Sequence, residues 1–216
     1  MATYTLNIII DDAMLAAGSS DSLCIAKKVN GSYNVIFQGA SPVPKPDQKL
    51  LVTNNTFEWE DDYQVFLTTS FGNGVFIHAS TNTVPIKFGE LVQFEKGVLQ
   101  DAVGAATSTF AVDGGPVQFH TAVQQSTGGG SFSTIYVDPH VHMGVSRIEL
   151  TPINKYLLFW KEIQTTEAML AISTGAGHEW SFPTGKTEKT IRFGYAKPNQ
   201  PSSATEAPGW YDQKSS

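Results

Sequence analysis

The chain has 216 residues, of which 41% are hydrophobic and only 16% charged, with a formal net charge of −6. That length allows one large domain or two small ones and a core that needs no staples. Fourteen basic residues against twenty acidic ones argue against nucleic acid as the main partner, because phosphate neutralisation needs clustered Lys and Arg. The charged fraction falls below the roughly 25% of an ordinary soluble domain, so neutral polar groups must cover the surface, and nineteen Gly and eleven Pro mark a turn-rich chain.

The opening run, Met1 to Asp12, has no basic segment, and its apolar stretch ends at Asp11-Asp12. It does not read as a secretory leader. No stretch reaches the roughly 18 apolar residues of a membrane span. Cys24 is the single cysteine and reads as a small buried hydrophobe, so a reducing, cytoplasmic setting is expected. The sequons at Asn30 and Asn54 then read as chance matches.

The dominant hydrophobic period is two. Leu6, Ile8 and Ile10 predict a strand, and Ala13 to Ala17 predict one or two helical turns closed by Gly18. Ser22–Val29 and Ser32–Phe37 flank Asn30-Gly31, the strongest local hairpin signal in the chain, since both turn residues tolerate positive φ. Pro42, Pro44 and Pro46 mark a loop. Phe57 and Trp59 share one strand face, Asp61-Asp62 make a turn, and Tyr63, Val65 and Leu67 resume the pattern. Trp59 and Trp160 read as core. Phe71–His78 predicts a tight turn into a strand. Ile86–Phe88 and Leu91–Phe94 predict strands around Gly89, and 97–109 predicts a loop or short helix.

In the second half, Phe110–Val112, Val117–Val123, Phe132–Val137, Val145–Leu150, Tyr156–Ile163, Ala168–Ser173, Glu179–Phe182 and Thr190–Tyr195 predict further strands, separated by Asp113-Gly-Gly-Pro116, Gly128-Gly-Gly130 and Thr151-Pro152. The fold class that follows is all-β: an antiparallel, jelly-roll-like β-sandwich of about ten to thirteen short strands with little helix. Residues 1–196 form the expected single sandwich domain. Residues 197–216 form a Pro/Ser-rich tail whose Trp210-Tyr211 is expected to dock onto the body or a partner subunit.

In Asp138-Pro-His-Val-His-Met-Gly144, His140 and His142 on a strand would share a face about 7 Å apart. Two imidazoles so placed suit one divalent metal with a third ligand from elsewhere. His-x-His is also the heart of the cupin motif. The glycine that motif wants six residues earlier is Thr134 here, and Ser146 and Arg147 stand where its Glu belongs, so nothing is carried over from it. His78, His120 and His178 read as structural. No Gly-x-Ser-x-Gly supports a nucleophilic serine, and no glycine-rich loop leads into a phosphate-cradling helix.

Glycine loops can instead rim a ligand pocket. Asn73, Asp113 and Gly114 suit sugar hydroxyls, because a carboxylate accepts from two donors and glycine permits close approach. Trp180, beside the Thr174–Gly177 loop, and the pair Trp210 and Tyr211 are candidate stacking faces. The expected function is therefore a cytoplasmic carbohydrate-binding, lectin-like protein with a glycan partner, in a defence setting and as a homodimer. Two alternatives stand beside it: a membrane-active, pore-forming or cytolytic β-sandwich protein, and a metal-dependent enzyme using His140 and His142. No other cofactor and no catalytic residue are assigned.

Overall fold

A computed structural model describes residues 2–17, 20–44, 48–144, 146–162, 166–170 and 177–213. In chain order its elements are β1 (Thr3–Ile10), α1 (Asp12–Ala16), β2 (Asp21–Val29), β3 (Gln38–Ser41), β4 (Lys49–Leu50), β5 (Asn54–Glu60) and β6 (Tyr63–Thr68). There follow β7 (Val84–Ile86), β8 (Glu90–Glu95), β9 (Val98–Leu99), β10 (Val103–Gly104), β11 (Phe110–Asp113), β12 (His120–Gly128) and β13 (Ser131–Val141). The last are β14 (Arg147–Leu150), β15 (Pro152–Glu162), β16 (His178–Trp180), β17 (Glu188–Gly194) and β18 (Gly209–Asp212). The fold is all-β and sandwich-like, with eighteen strands among the described residues, more than the ten to thirteen expected. The excess comes mainly from strands of two to four residues such as β4, β9 and β10, too short to show a period in sequence.

The strands form four sheets, ordered β18-β17-β1-β5, β10-β8-β11-β14, β13-β12-β6-β7 and β16-β15-β2-β3-β4, with β9 attached to β8. Most pairings are antiparallel; β1 with β17, β8 with β11 and β3 with β4 are parallel. One hydrophobic core receives side chains from all four sheets, with Trp59, Tyr156, Phe37, Phe57 and Phe110 among its largest members. The strand period of two decides who enters it. From β2, Leu23, Ile25 and Val29 point into this core. Cys24 and Ala26, on the other face, meet Ile36, Leu157 and Phe159 in a second, smaller cluster. β2 is thus buried on both faces, and its run reads as continuously apolar for that reason.

The Asn30-Gly31 turn forms as expected, with φ of 48° and 82°. The second arm of the hairpin does not. Between 32 and 37 only Ser32 and Val35 make bridges, and Val35 bridges Met169 rather than β2. Asn34 is the cause. Its side-chain amide donates to the Val137 carbonyl at 2.6 Å and accepts from the Val137 N–H at 3.3 Å, drawing the chain towards β13 until β3 rejoins β2. Phe71–His78 likewise turns but leaves a single bridge, Phe76 with Ala168, and 97–109 holds β9 and β10 rather than a helix. The expected strand at Ala168–Ser173 reduces to bridges at Ala168 and Met169, and its positions 171–173 lie outside the described residues, as does Gly18. The Asp61-Asp62 turn forms, but it joins strands of different sheets: β5 pairs with β1, and β6 with β12 and β7.

The C-terminal segment is tied to the first strand. Asp11 and Arg192 are both buried, and the Arg192 guanidinium donates to Asp11 Oδ1 at 2.9 Å and Oδ2 at 2.8 Å. Asp11 also accepts from the backbone N–H groups of Tyr195 and Asn199. A Cβ on Gly194 would fall 2.0 Å from Asp11 Oδ2, so only glycine admits the carboxylate there. Burial pushes the Asp11 pKa up, but the hydrogen bonds from Asn199 and Arg192 outweigh it and hold the carboxyl below its ordinary value. A native pKa below the unfolded one adds stability above about pH 4 that is lost as the pH falls through the native value. Asp11→Ala is expected to cost about 3–5 kcal/mol at pH 7, because it strands the buried guanidinium. Urea unfolding at pH 7 and at pH 3 checks this, the gap between the two proteins narrowing in acid.

Candidate functional site

The residues singled out in sequence lie on different elements. Asp113, at the end of β11, is held by Arg147 through two bonds of 2.7 Å each; these bonds keep its carboxyl below the ordinary range. Gly114 and Gly115 have positive φ, and a Cβ on Gly115 would meet the His142 ring at 2.7 Å. The Asp113-Gly-Gly and His-x-His motifs therefore adjoin, with the glycine there to admit the ring. His142 is fully buried and shares a 2.7 Å hydrogen bond with Thr121 Oγ1, and burial pushes its pKa down. His140 is exposed, with Nδ1 2.8 Å from Asp138 Oδ1. β13 ends at Val141, so the two rings do not share a strand face. No three His, Cys, Asp or Glu side chains among the described residues gather at metal-binding distance.

Trp180, expected at the surface, is 5% exposed and stacks on Tyr156 at 4.8 Å. Trp210 and Tyr211 lie in the edge strand β18, paired to β17. Trp210 stacks near Trp160 and His178, and Tyr211 lies under the Arg192 guanidinium. Asn73 sits in the exposed 71–76 turn. No helix among the described residues is long and apolar enough to cross a membrane.

The chemistry that does converge lies elsewhere. Lys27 occupies the same face of β2 as Leu23, Ile25 and Val29, so the strand period drives its side chain into the main core, where it is 2% exposed. Its Nζ donates to Tyr63 Oη and to Gln125 Oε1, both at 2.8 Å, and lies 5.0 Å and 5.4 Å from the ring centres of Tyr63 and Tyr156. Tyr63 donates to Asp61 Oδ1 at 3.0 Å, and Tyr4 to Asp61 Oδ2 at 2.9 Å. Trp59 Nε1 donates to Tyr156 Oη at 3.0 Å, and Gln125 anchors to the Glu60 carbonyl. The result is a polar thread, Lys27–Tyr63–Asp61, running from the core to the exposed corner between β5 and β6.

A cavity of about 370 Å³ opens along this thread, lined by Tyr4, Lys27, Asp61, Asp62, Tyr63, Ile86, Lys87, Phe88, Pro152, Ile153, Asn154 and Tyr156. Lys27, Tyr63 and Tyr156 form its buried end, and Phe88, half exposed, stands at the mouth with Asp61, Ile153 and Asn154. A second cavity of about 290 Å³ lies beside α1, between Met14, Leu15, Trp160 and Phe193. Neither cavity is lined by Asn73, Asp113, Trp180, Trp210 or either His of the His-x-His motif.

Burial in this aromatic setting pushes the Lys27 amine down to about 7, the opposing pull of Asp61 notwithstanding. Burial and the nearby Asp61 push the Tyr63 phenol far above its ordinary value, and burial does the same for Tyr156. Both phenols are therefore neutral at any physiological pH. An amine that is partly neutral at pH 7, beside a phenol and a carboxylate in a cleft, can act as a base or as a nucleophile. The sequence signal for Lys27 was available: a lone lysine on the core side of an otherwise apolar alternation.

Because the native amine titrates near 7 and the unfolded one near about 10.4, the unfolded chain binds more protons between those values. Lys27 must therefore make stability rise with pH across that window. Urea midpoints measured from pH 6 to 10 are expected to rise in the wild type relative to Lys27→Met; parallel profiles overturn the assignment. Comparison of the chain with protein-family models, with curated proteins and with solved structures returned no match.

Proposed function

We propose that the chain is a carbohydrate-binding protein, and that its site is the cavity at the Asp61–Asp62 corner rather than the glycine loops. One observation carries this reading: a half-exposed aromatic ring, Phe88, lines the same concave site as Asp61, Asp62 and Asn154. A sugar presents an apolar C–H face and a rim of hydroxyls. The ring meets the first, and the carboxylates and the amide meet the second. The volume falls in the range of small-molecule sites, roughly 300–1,000 Å³. A cytoplasmic setting and a defence role directed at foreign glycans belong to the same proposal, and the single buried Cys24 suits a reducing compartment.

A glycan-array screen followed by calorimetry of the hits tests it. Selective binding is expected, with Phe88→Ala weakening it by about tenfold, or roughly 1.4 kcal/mol, and Asp61→Asn weakening it through lost hydroxyl contacts. A blank array overturns the reading.

A second reading, contact with a membrane surface, is favoured by a separate observation. The loops around His120 expose Phe71, Phe76, Val117 and Met143, the last 79% accessible, and Phe71 stacks on His120 at 4.3 Å. Co-sedimentation with neutral phosphatidylcholine vesicles, lost in Phe71→Ser/Met143→Ser, supports it; absence of co-sedimentation removes it.

A further inference from the structure

We propose that Lys27 is a nucleophilic amine that captures an aldehyde in the corner cavity as a reversible imine. The proposal rests on that cavity being a ligand site, but not on its ligand being a saccharide.

The geometry carries the argument. A neutral lysine amine has two N–H groups and one lone pair. Tyr63 Oη and Gln125 Oε1, each at 2.8 Å, accept the two N–H bonds, which leaves the lone pair uncommitted on a side chain that lines the cavity. The bonds also fix the direction of Nζ, so the side-chain entropy of a lysine is already lost before a ligand arrives. The walls beyond it are the rings of Tyr63, Tyr156 and Phe88 and the side chains of Ile86 and Pro152. They suit an aldehyde with an apolar or aromatic body. The low amine pKa, about 7, keeps a large share of the nucleophile unprotonated at neutral pH, where an exposed lysine is almost entirely ammonium.

Imine formation needs proton transfers between nitrogen and oxygen, and the thread supplies them. The Nζ lone pair forms the C–N bond as the carbonyl π pair moves onto oxygen. That oxygen gains a proton and Nζ loses one, giving a neutral carbinolamine. The hydroxyl then leaves as water with a second proton, and Nζ gives up its remaining hydrogen as the C=N bond closes. Both amine hydrogens end on the departing water, and no oxidant or reductant is required. Tyr63, 2.8 Å from Nζ and 3.0 Å from Asp61, is placed to pass protons between them.

The test is reductive trapping of the full chain with benzaldehyde and cyanoborohydride at pH 7, the modified residues being located by peptide mass spectrometry. Lys27 is expected to be labelled at least about tenfold faster than any of the other eleven lysines. Its rate should fall as the pH drops below about 7. Tyr63→Phe should slow labelling by about a hundredfold while circular dichroism stays unchanged; Lys27→Arg should abolish it at this position. Labelling confined to exposed lysines, or a Tyr63→Phe rate equal to wild type, overturns the proposal. Methyl glycosides carry no free aldehyde and probe the carbohydrate reading separately. Labelled Lys27 with silent glycosides overturns only that reading, and bound glycosides with unlabelled Lys27 overturn only this one.

Discussion

The amine of Lys27 is costly to bury, and the packing around it answers what it requires. An ammonium removed from water loses several kcal/mol of hydration unless hydrogen bonds and nearby charge replace it. The replacements come from three neighbouring strands: Tyr63 on β6, Gln125 on β12 and the ring of Tyr156 on β15. Gln125 and Tyr63 face each other in the β12–β6 register, and Tyr156 pairs directly with Lys27 in the β15–β2 register. A single side chain thus ties the β2–β15 sheet to the β6–β12 sheet across the core. Tyr156 in turn accepts from Trp59 on β5, which brings the β1–β5 sheet into the same arrangement.

The cavity follows from the corner at Asp61-Asp62. The chain leaves one sheet at Glu60 and enters another at Tyr63, so the cavity lies where two sheets are joined by a two-residue turn. Asp61 stands at that junction and accepts from Tyr4 and Tyr63. Its carboxylate ties both phenols to the corner, one from the exposed edge and one from the core. Junctions between packed layers are where ligand sites commonly form. Here the junction coincides with the only core row that contains a titratable amine among the described residues of β2.

Much of the fold was legible because local rules and tertiary packing agreed. Leu6, Ile8 and Ile10 alternate and are buried in alternation; Asn30-Gly31 turns with positive φ; Phe57 and Trp59 enter the core. The legible signals failed where a side chain competed with the backbone. Asn34 replaces ladder bonds to β2 with bonds to Val137, and no periodicity reports an amide that binds a strand over a hundred residues away. The candidate site was misplaced for a related reason. Positive-φ glycines and exposed-looking aromatics are signals of turns and of size, and both served packing here: Gly115 admits His142, and Trp180 stacks on Tyr156. The partners of Lys27 lie 36 and 98 residues away, so the sequence could show an odd lysine but not the phenol, amide and carboxylate that give it a role.

That oddity can be weighed physically. An apolar side chain at position 27 would continue the row of Leu23, Ile25 and Val29 and carry no desolvation cost. The lysine instead needs a buried glutamine, a buried tyrosine and an exposed aspartate to be tolerated. By contrast, the buried ion pair of Asp11 with Arg192 closes on itself with backbone N–H groups and opens onto neither cavity. Asp11–Arg192 has the geometry of a clamp, with both carboxylate oxygens and both terminal guanidinium nitrogens bonded within the fold. Lys27 has the geometry of a site: an amine bonded to Tyr63 and Gln125, flanked by neutral phenols, on a side chain that lines a cavity. Groups held in that half-satisfied state beside a cavity are the ones whose chemistry is directed outward, at whatever enters.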